Sequence, residues 1–97
     1  MNDTDPIEWD PAKAAANRLK HGVAFEEAAT VFFDPQATTY EDPDHSADEE
    51  RFLIVGYSTR ERILVVTYMY RGDRIRIISA RAATARERRT HEEGRPK

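Results

Sequence analysis

The chain has 97 residues, enough for one compact domain spanning 1–97, and contains no cysteine, which excludes disulfides and thiolate metal sites. No N-terminal apolar run resembles a signal peptide, and no stretch approaches the roughly 20 apolar residues that cross a bilayer, so a cytoplasmic protein without membrane contact is expected. The net charge of −3 hides an asymmetry: residues 1–50 carry 3 basic and 13 acidic side chains, whereas the remaining 47 carry 12 basic and 5 acidic. A basic half suits a polyanion or an acidic protein partner; the competing reading is two solvated surfaces that pair with each other.

Ile7-Glu8-Trp9 reads as a short edge strand. Asp10-Pro11 opens a helix, with Asp10 as N-cap and Pro11 where a missing N–H costs nothing. Ala12, Ala15, Ala16 and Leu19 follow the i, i+3, i+4, i+7 spacing of a buried face, and Gly22 ends the helix. A second helix repeats the pattern at Phe25, Ala28, Ala29 and Phe32 and stops at Asp34-Pro35. Its start is weak, because Ala24 cannot cap and only Glu26 and Glu27 favour that end through the dipole.

Ala37 to Tyr40 reads as a strand, and Glu41 to Glu50 as a polar, acidic, mobile loop. Three β-rich runs follow, at Phe52 to Tyr57, Ile63 to Tyr70 and Arg74 to Arg81, joined by connections short enough for antiparallel hairpins. The middle run is apolar on both faces, as a central strand covered on both sides would be. Thr84-Ala85-Arg86-Glu87 fits a capping box opening a last helix that runs to Gly94. The expected fold is α+β: two N-terminal helices packed on an antiparallel sheet, with a C-terminal helix.

The run Glu8-Trp9-Asp10, Lys13, Asn17, Lys20-His21-Gly22-Val23 and Phe25-Glu26-Glu27-Ala28 resembles the N-terminal signature of the BrnT toxin family. Glu50-Arg51-Phe52, Gly56, Arg74-Ile75-Arg76-Ile77-Ile78-Ser79-Ala80-Arg81 and Thr84 with Arg86-Glu87-Arg88 extend the resemblance over about Ile7 to Glu92. Ala24 stands where the family pattern commonly has serine, a departure that touches only helix capping. The resemblance implies a RelE-like fold and an endoribonuclease toxin of a type II toxin–antitoxin pair, cleaving RNA to arrest translation and growth. It also implies a BrnA-type antitoxin with a DNA-binding domain. The neutralised complex, two toxins with two antitoxins, meets operator DNA only through that antitoxin.

Metal-independent RNA cleavage needs a base for the 2′-OH, cations for the phosphorane and an acid for the departing 5′-oxygen. Arg81, at the end of the last strand, is the first candidate to hold the scissile phosphate, as the resemblance implies for an arginine in that region. Pairing with a glutamate is its structural alternative. Arg74 and Arg76 share a strand face and are candidate RNA contacts, or solvated sheet positions. Arg81 lies an odd number of positions from both, so all three converge only if a bulge or the strand end redirects one.

Lys20 and His21 occupy the last turn of the first helix, where the dipole favours a cation suited to act as an acid or simply to stabilise the helix. Glu87 is a candidate base, although the capping box explains it structurally, and Arg86 on the same turn is a candidate phosphate contact. Trp9 is either a stacking platform for an RNA base or a core residue. His45 among Asp42, Asp44, Asp48 and Glu49 matches no metal-ligand spacing, so no metal and no cofactor is expected. The alternative function is a module of the same fold that binds RNA or the ribosome without cutting.

Overall fold

A computed structural model describes residues 6–43 and 50–94; the residues around His45 lie outside the described residues, so the acidic-loop and metal readings there do too. The elements run β1 (Ile7–Glu8), α1 (Pro11–His21), α2 (Phe25–Thr30) with a 3₁₀ turn at Val31–Phe33, β2 (Thr38–Glu41), β3 (Phe52–Tyr57), β4 (Ile63–Arg71), β5 (Arg74–Ala82) and α3 (Ala85–Glu93). Glu41 therefore closes β2 instead of opening the acidic loop.

The strands form one sheet in the order β1-β5-β4-β3-β2. The expected all-antiparallel sheet is corrected here to a mixed one. β1 lies parallel to β5, with Ile7 opposite Ile75 and Glu8 opposite Arg76, while the other pairs are antiparallel. The whole α1-to-β4 excursion separates β1 from β5, ample length for the crossover that a parallel pair requires.

The two-faced character of β4 has the expected consequence. Leu64, Val66 and Tyr68 join Ile77 and Ala80 on one face and pack under Val23, Phe25, Ala28 and Val31. Ile63 and Val65 join Ala83, Leu53, Val55 and Tyr57 on the other face, beneath α3.

The face of α1 differs from expectation. Ala12, Ala15, Ala16 and Leu19 point to solvent, Leu19 with 90% of its surface exposed; Asn17 is buried and Ala14 partly so. Alanine covers both sides of this helix, so apolar content cannot orient it. A backbone demand does so. Past its short pairing with β1, the edge of β5 offers the N–H and C=O of Ala80, and Asn17 answers both. Asn17 Oδ1 accepts from Ala80 N–H (3.0 Å), and Nδ2 donates to the Ala80 and Val23 carbonyls (2.8 and 3.0 Å). The amide thus closes an exposed sheet edge. Asn17→Ala strands three buried backbone groups and is expected to cost about 2–3 kcal/mol. Thermal unfolding followed by circular dichroism reads this as a Tm lowered by roughly 10 °C or more; a shift under roughly 3 °C would mean that water replaces the amide without loss.

Two glycines have specific duties. Gly22 takes φ 69° as the left-handed cap of α1 and donates to Arg18 O at 2.9 Å. At Gly56 an added Cβ would stand 2.8 Å from Ala37 Cβ and 2.9 Å from Asp34 Oδ2. The Asp34 carboxylate crowds there because it accepts the N–H groups of Gln36 (3.0 Å) and Tyr57 (2.7 Å), locking the β2 entry turn onto β3.

Candidate active site on the second sheet face

β5 carries an irregularity that decides the site. Thr67 pairs with Ser79 but Tyr68 pairs with Ile77, which leaves Ile78 as an extra residue. A bulge of this kind reverses the face of everything beyond it. Arg74, Arg76, Ser79 and Arg81 therefore all lie opposite β4 residues of the α3 face: Arg71, Met69, Thr67 and Val65. The condition for convergence of the three arginines is met, and they line one strand face.

Arg81 is gripped by Glu87. Its Nη1 and Nη2 donate to Glu87 Oε1 and Oε2 at 2.7 and 2.8 Å, a two-pronged pair joining β5 to the first turn of α3. The capping box is also formed: Thr84 N–H donates to Glu87 Oε1 (2.8 Å), and Glu87 N–H donates to Thr84 Oγ1 (3.1 Å). Glu87 is thus held at a fixed point by its own helix start, independently of Arg81.

Arg81 holds the Glu87 carboxyl far down, at about 2, with the Thr84 N–H adding to the effect against the opposing cost of burial. A carboxyl depressed from 4.5 to about 2 stabilises the fold fully above pH 4.5 and loses that contribution as pH falls toward 2. Both side chains are over a third exposed, 41% and 36%, so solvent screening reduces the contribution to about 1 kcal/mol. In a titration of Glu87 Cδ by carbon NMR, the midpoint is expected near 2 in the wild type and back toward 4.5 in Arg81→Gln. An unchanged midpoint would assign the depression to the helix start alone.

Arg76 pairs with Glu8 across the parallel register, Nη1 to Oε2 at 3.1 Å. Arg74 is half-buried by the β4–β5 hairpin, and Arg86 is exposed at the start of α3. Lys20 and His21 are exposed at the end of α1, in the layer on the opposite sheet face, and no hydrogen bond or ion pair joins them to Arg81 or Glu87 among the described residues. Trp9 also belongs to that opposite layer. Its ring meets Phe25 edge-on at 6.1 Å, which gives it a core role. The eight candidate residues therefore divide between the two sides of the sheet. Among the described residues, no group of three or more His, Asp or Glu side chains is arranged to hold a metal ion, and no helix is long and apolar enough to cross a membrane.

Two features, Glu27 and His91, escaped the sequence reading outright, and the bulge entered it only as a condition. The bulge had a signal, since polar–apolar alternation breaks at the consecutive pair Ile77-Ile78. Glu27 is buried under the β3–β4 connection, where its carboxylate accepts from Ser58 Oγ (2.7 Å) and from Arg62 Nε and Nη2 (both 2.7 Å). His91 is buried on α3, one turn beyond Glu87 on the inward row.

These features can be set beside known proteins. A family model for the ribonuclease toxin BrnT of type II toxin–antitoxin systems matches residues 9–87. The 1.1 Å crystal structure of the Brucella abortus ribonuclease toxin BrnT is similar, with a TM-score of 0.62 and 26% identity over 80% of this chain and 95% of that one. No curated protein matches the chain significantly. Matched by the model over most of its length, the chain belongs to the BrnT family of ribonuclease toxins from type II toxin–antitoxin systems.

Proposed function

We propose that this protein cuts RNA internally without a metal ion, using Arg81 to hold the scissile phosphate and Glu87 as the base. The observation that carries the reading is the two-pronged Arg81–Glu87 pair on a face that also bears Arg74 and Arg76. A guanidinium fork that grips two carboxylate oxygens matches two phosphate oxygens equally well. When Arg81 turns to the phosphate, Glu87 stays tethered by Thr84 N–H but loses the charge that depresses it, so its basicity rises as substrate arrives.

Glu87 then takes the 2′-OH proton, O2′ attacks phosphorus, and the bond to the 5′-oxygen breaks. The products are a 2′,3′-cyclic phosphate and a 5′-hydroxyl that takes its proton from water. Arg81 stabilises the phosphorane charge, Arg86 adds a phosphate contact, and Arg76 and Arg74 extend the cationic track along β5. Lys20 and His21 stabilise the C-terminal end of α1 through the dipole.

Cleavage of cellular RNA in the cytoplasm would stop translation and growth. A BrnA-type antitoxin would neutralise the toxin by covering the basic face, in a complex of two copies each that reaches operator DNA only through the antitoxin. The architecture is read as a RelE-like variant contained in one domain.

The test is cleavage of an end-labelled single-stranded RNA by purified protein in EDTA. The expected products end in 2′,3′-cyclic phosphate. Activity that vanishes in EDTA and returns with Mg²⁺ would overturn metal independence. RNA bound but not cut, alone and on ribosomes, would replace the enzyme with a non-catalytic binding module.

A further inference from the structure

The face that α1 turns to solvent is its amphipathic stripe. Ala12, Ala15, Ala16 and Leu19 keep the i, i+3, i+4, i+7 spacing, yet all four are exposed, Leu19 by 90%. At about 100° per residue, Lys13 and Lys20 fall on one flank of this stripe and Arg18 on the other. These three are the only Lys or Arg side chains in residues 1–50. The helix holds no acidic residue, and none of the three cations forms an ion pair among the described residues. Beside the stripe, a groove of about 250 Å³ lies between α1 and the start of α2. Ala14, Ala15, Ala24 and Phe25 give it apolar walls, and Arg18 and Glu26 are its charged lining. It is smaller than small-molecule pockets, which span roughly 300–1,000 Å³, and suits one inserted side chain.

We propose that the antitoxin anchors here, through an amphipathic helix whose apolar ridge covers Leu19 and whose flanking carboxylates meet Lys13 and Lys20. The inference rests on the toxin–antitoxin reading and deepens it by naming a second contact, across the sheet from Arg81 and Glu87. Other occupants match only part of the pattern. RNA gains nothing by covering an apolar ridge, and α1 offers it no aromatic ring for stacking. A second copy packed α1 against α1 about a two-fold axis sets Lys13, Arg18 and Lys20 against their equals. One leucine and three alanines bury too little apolar surface to hold a membrane. An acidic amphipathic helix meets both the ridge and its flanks, with anchors at the spacing that helix-in-groove recognition uses. Gripping the toxin and blocking its site are then tasks for different parts of the antitoxin.

The probe is the cognate antitoxin, titrated into the full chain labelled with ¹⁵N. The amide signals of α1 are expected to shift saturably. In parallel, binding kinetics are compared for Lys13→Glu and for Leu19→Gln, which keeps side-chain length and helix propensity. Leu19→Gln is expected to weaken the antitoxin about tenfold or more, mainly through faster release. Lys13→Glu should slow association, and that loss should shrink as salt rises. Both variants should cut RNA in EDTA at the wild-type rate, since α1 lies behind the sheet. Unchanged antitoxin affinity in both variants, with still α1 signals, would overturn the anchor whether or not the chain cuts RNA. A chain that cuts no RNA but loses antitoxin affinity in Leu19→Gln would keep the anchor and overturn the ribonuclease. Loss of RNA binding in Lys13→Glu, with antitoxin affinity intact, would make α1 an RNA contact and refute the proposal. A free dimer that Leu19→Gln splits, again with antitoxin affinity intact, would refute it in favour of a second copy. Both positions are exposed, and the titration uses the unmodified chain, so the test does not depend on a variant folding.

Discussion

Arg81→Ala is expected to lower the cleavage rate by about 10²–10³-fold, the loss typical when one preorganised donor to a developing oxyanion is removed. The variant should still fold, because the pair it breaks is over a third exposed on both sides and Glu87 keeps its place through Thr84. Arg81→Lys should recover little, since an ammonium cannot present two parallel donors. The decisive companion is Glu87→Gln. Glutamine at this position still satisfies a capping box, so α3 keeps its start, but an amide cannot take a proton. A loss of about 10²–10⁴-fold in Glu87→Gln, with an unchanged Tm, would assign Glu87 a chemical role. Wild-type cleavage by Glu87→Gln would reduce Glu87 to a cap, and wild-type cleavage by Arg81→Ala would move the phosphate site elsewhere.

Glu27→Ala is expected to cost about 2–3 kcal/mol, because Ser58 Oγ and the Arg62 guanidinium lose their acceptor while Arg62, 39% exposed, keeps part of its solvation. That is a large share of the roughly 5–15 kcal/mol that holds a domain of this kind together. The side chain is 6% exposed and binds Ser58 and both prongs of Arg62, with Arg60 at 3.9 Å; Arg62 Nη2 also donates to Gly22 O at 3.3 Å. The cluster therefore joins α2 and the cap of α1 to the β3–β4 connection. Arg62 holds the Glu27 carboxyl below its ordinary 4.5, with Ser58 helping and burial opposing. The stabilisation is full above pH 4.5 and is lost as pH falls below it.

The double exchange Glu27→Leu with Arg62→Leu separates pairing from packing. Replacing both partners by apolar groups removes the orphaned charge and should recover most of the loss in urea titrations. If the double variant is as unstable as Glu27→Ala, the penalty comes from the lost Ser58 bond or from packing.

How legible all this was depends on the range of the interactions involved. β3 was legible to the residue at Phe52–Tyr57, and the capping box of α3 and the left-handed cap at Gly22 were likewise predictable. These are local events, in which a residue answers a backbone group within a few positions or alternates across a pleat. The candidate site was half legible. Arginines on β5 and Glu87 after it could be named, but alternation alone placed Arg81 on the wrong side of Arg74 and Arg76.

By itself, then, the sequence determined the element order, the ends of α1 and α3, the central position of β4 and the residues from which a phosphate site could be made; α2 stopped at Thr30, short of the expected Asp34-Pro35, in a 3₁₀ turn. Only the tertiary structure decided how they face. The edge of β5 drew Asn17 inward and left Leu19 in water, and β1 closed that edge in parallel. One unpaired residue, Ile78, turned Arg81 to the face of Arg76 and left Lys20, His21 and Trp9 behind the sheet. The physical reason is common to all three: each was settled by backbone groups and charges from distant parts of the chain that had to be satisfied together, a condition that spacing along the sequence does not express.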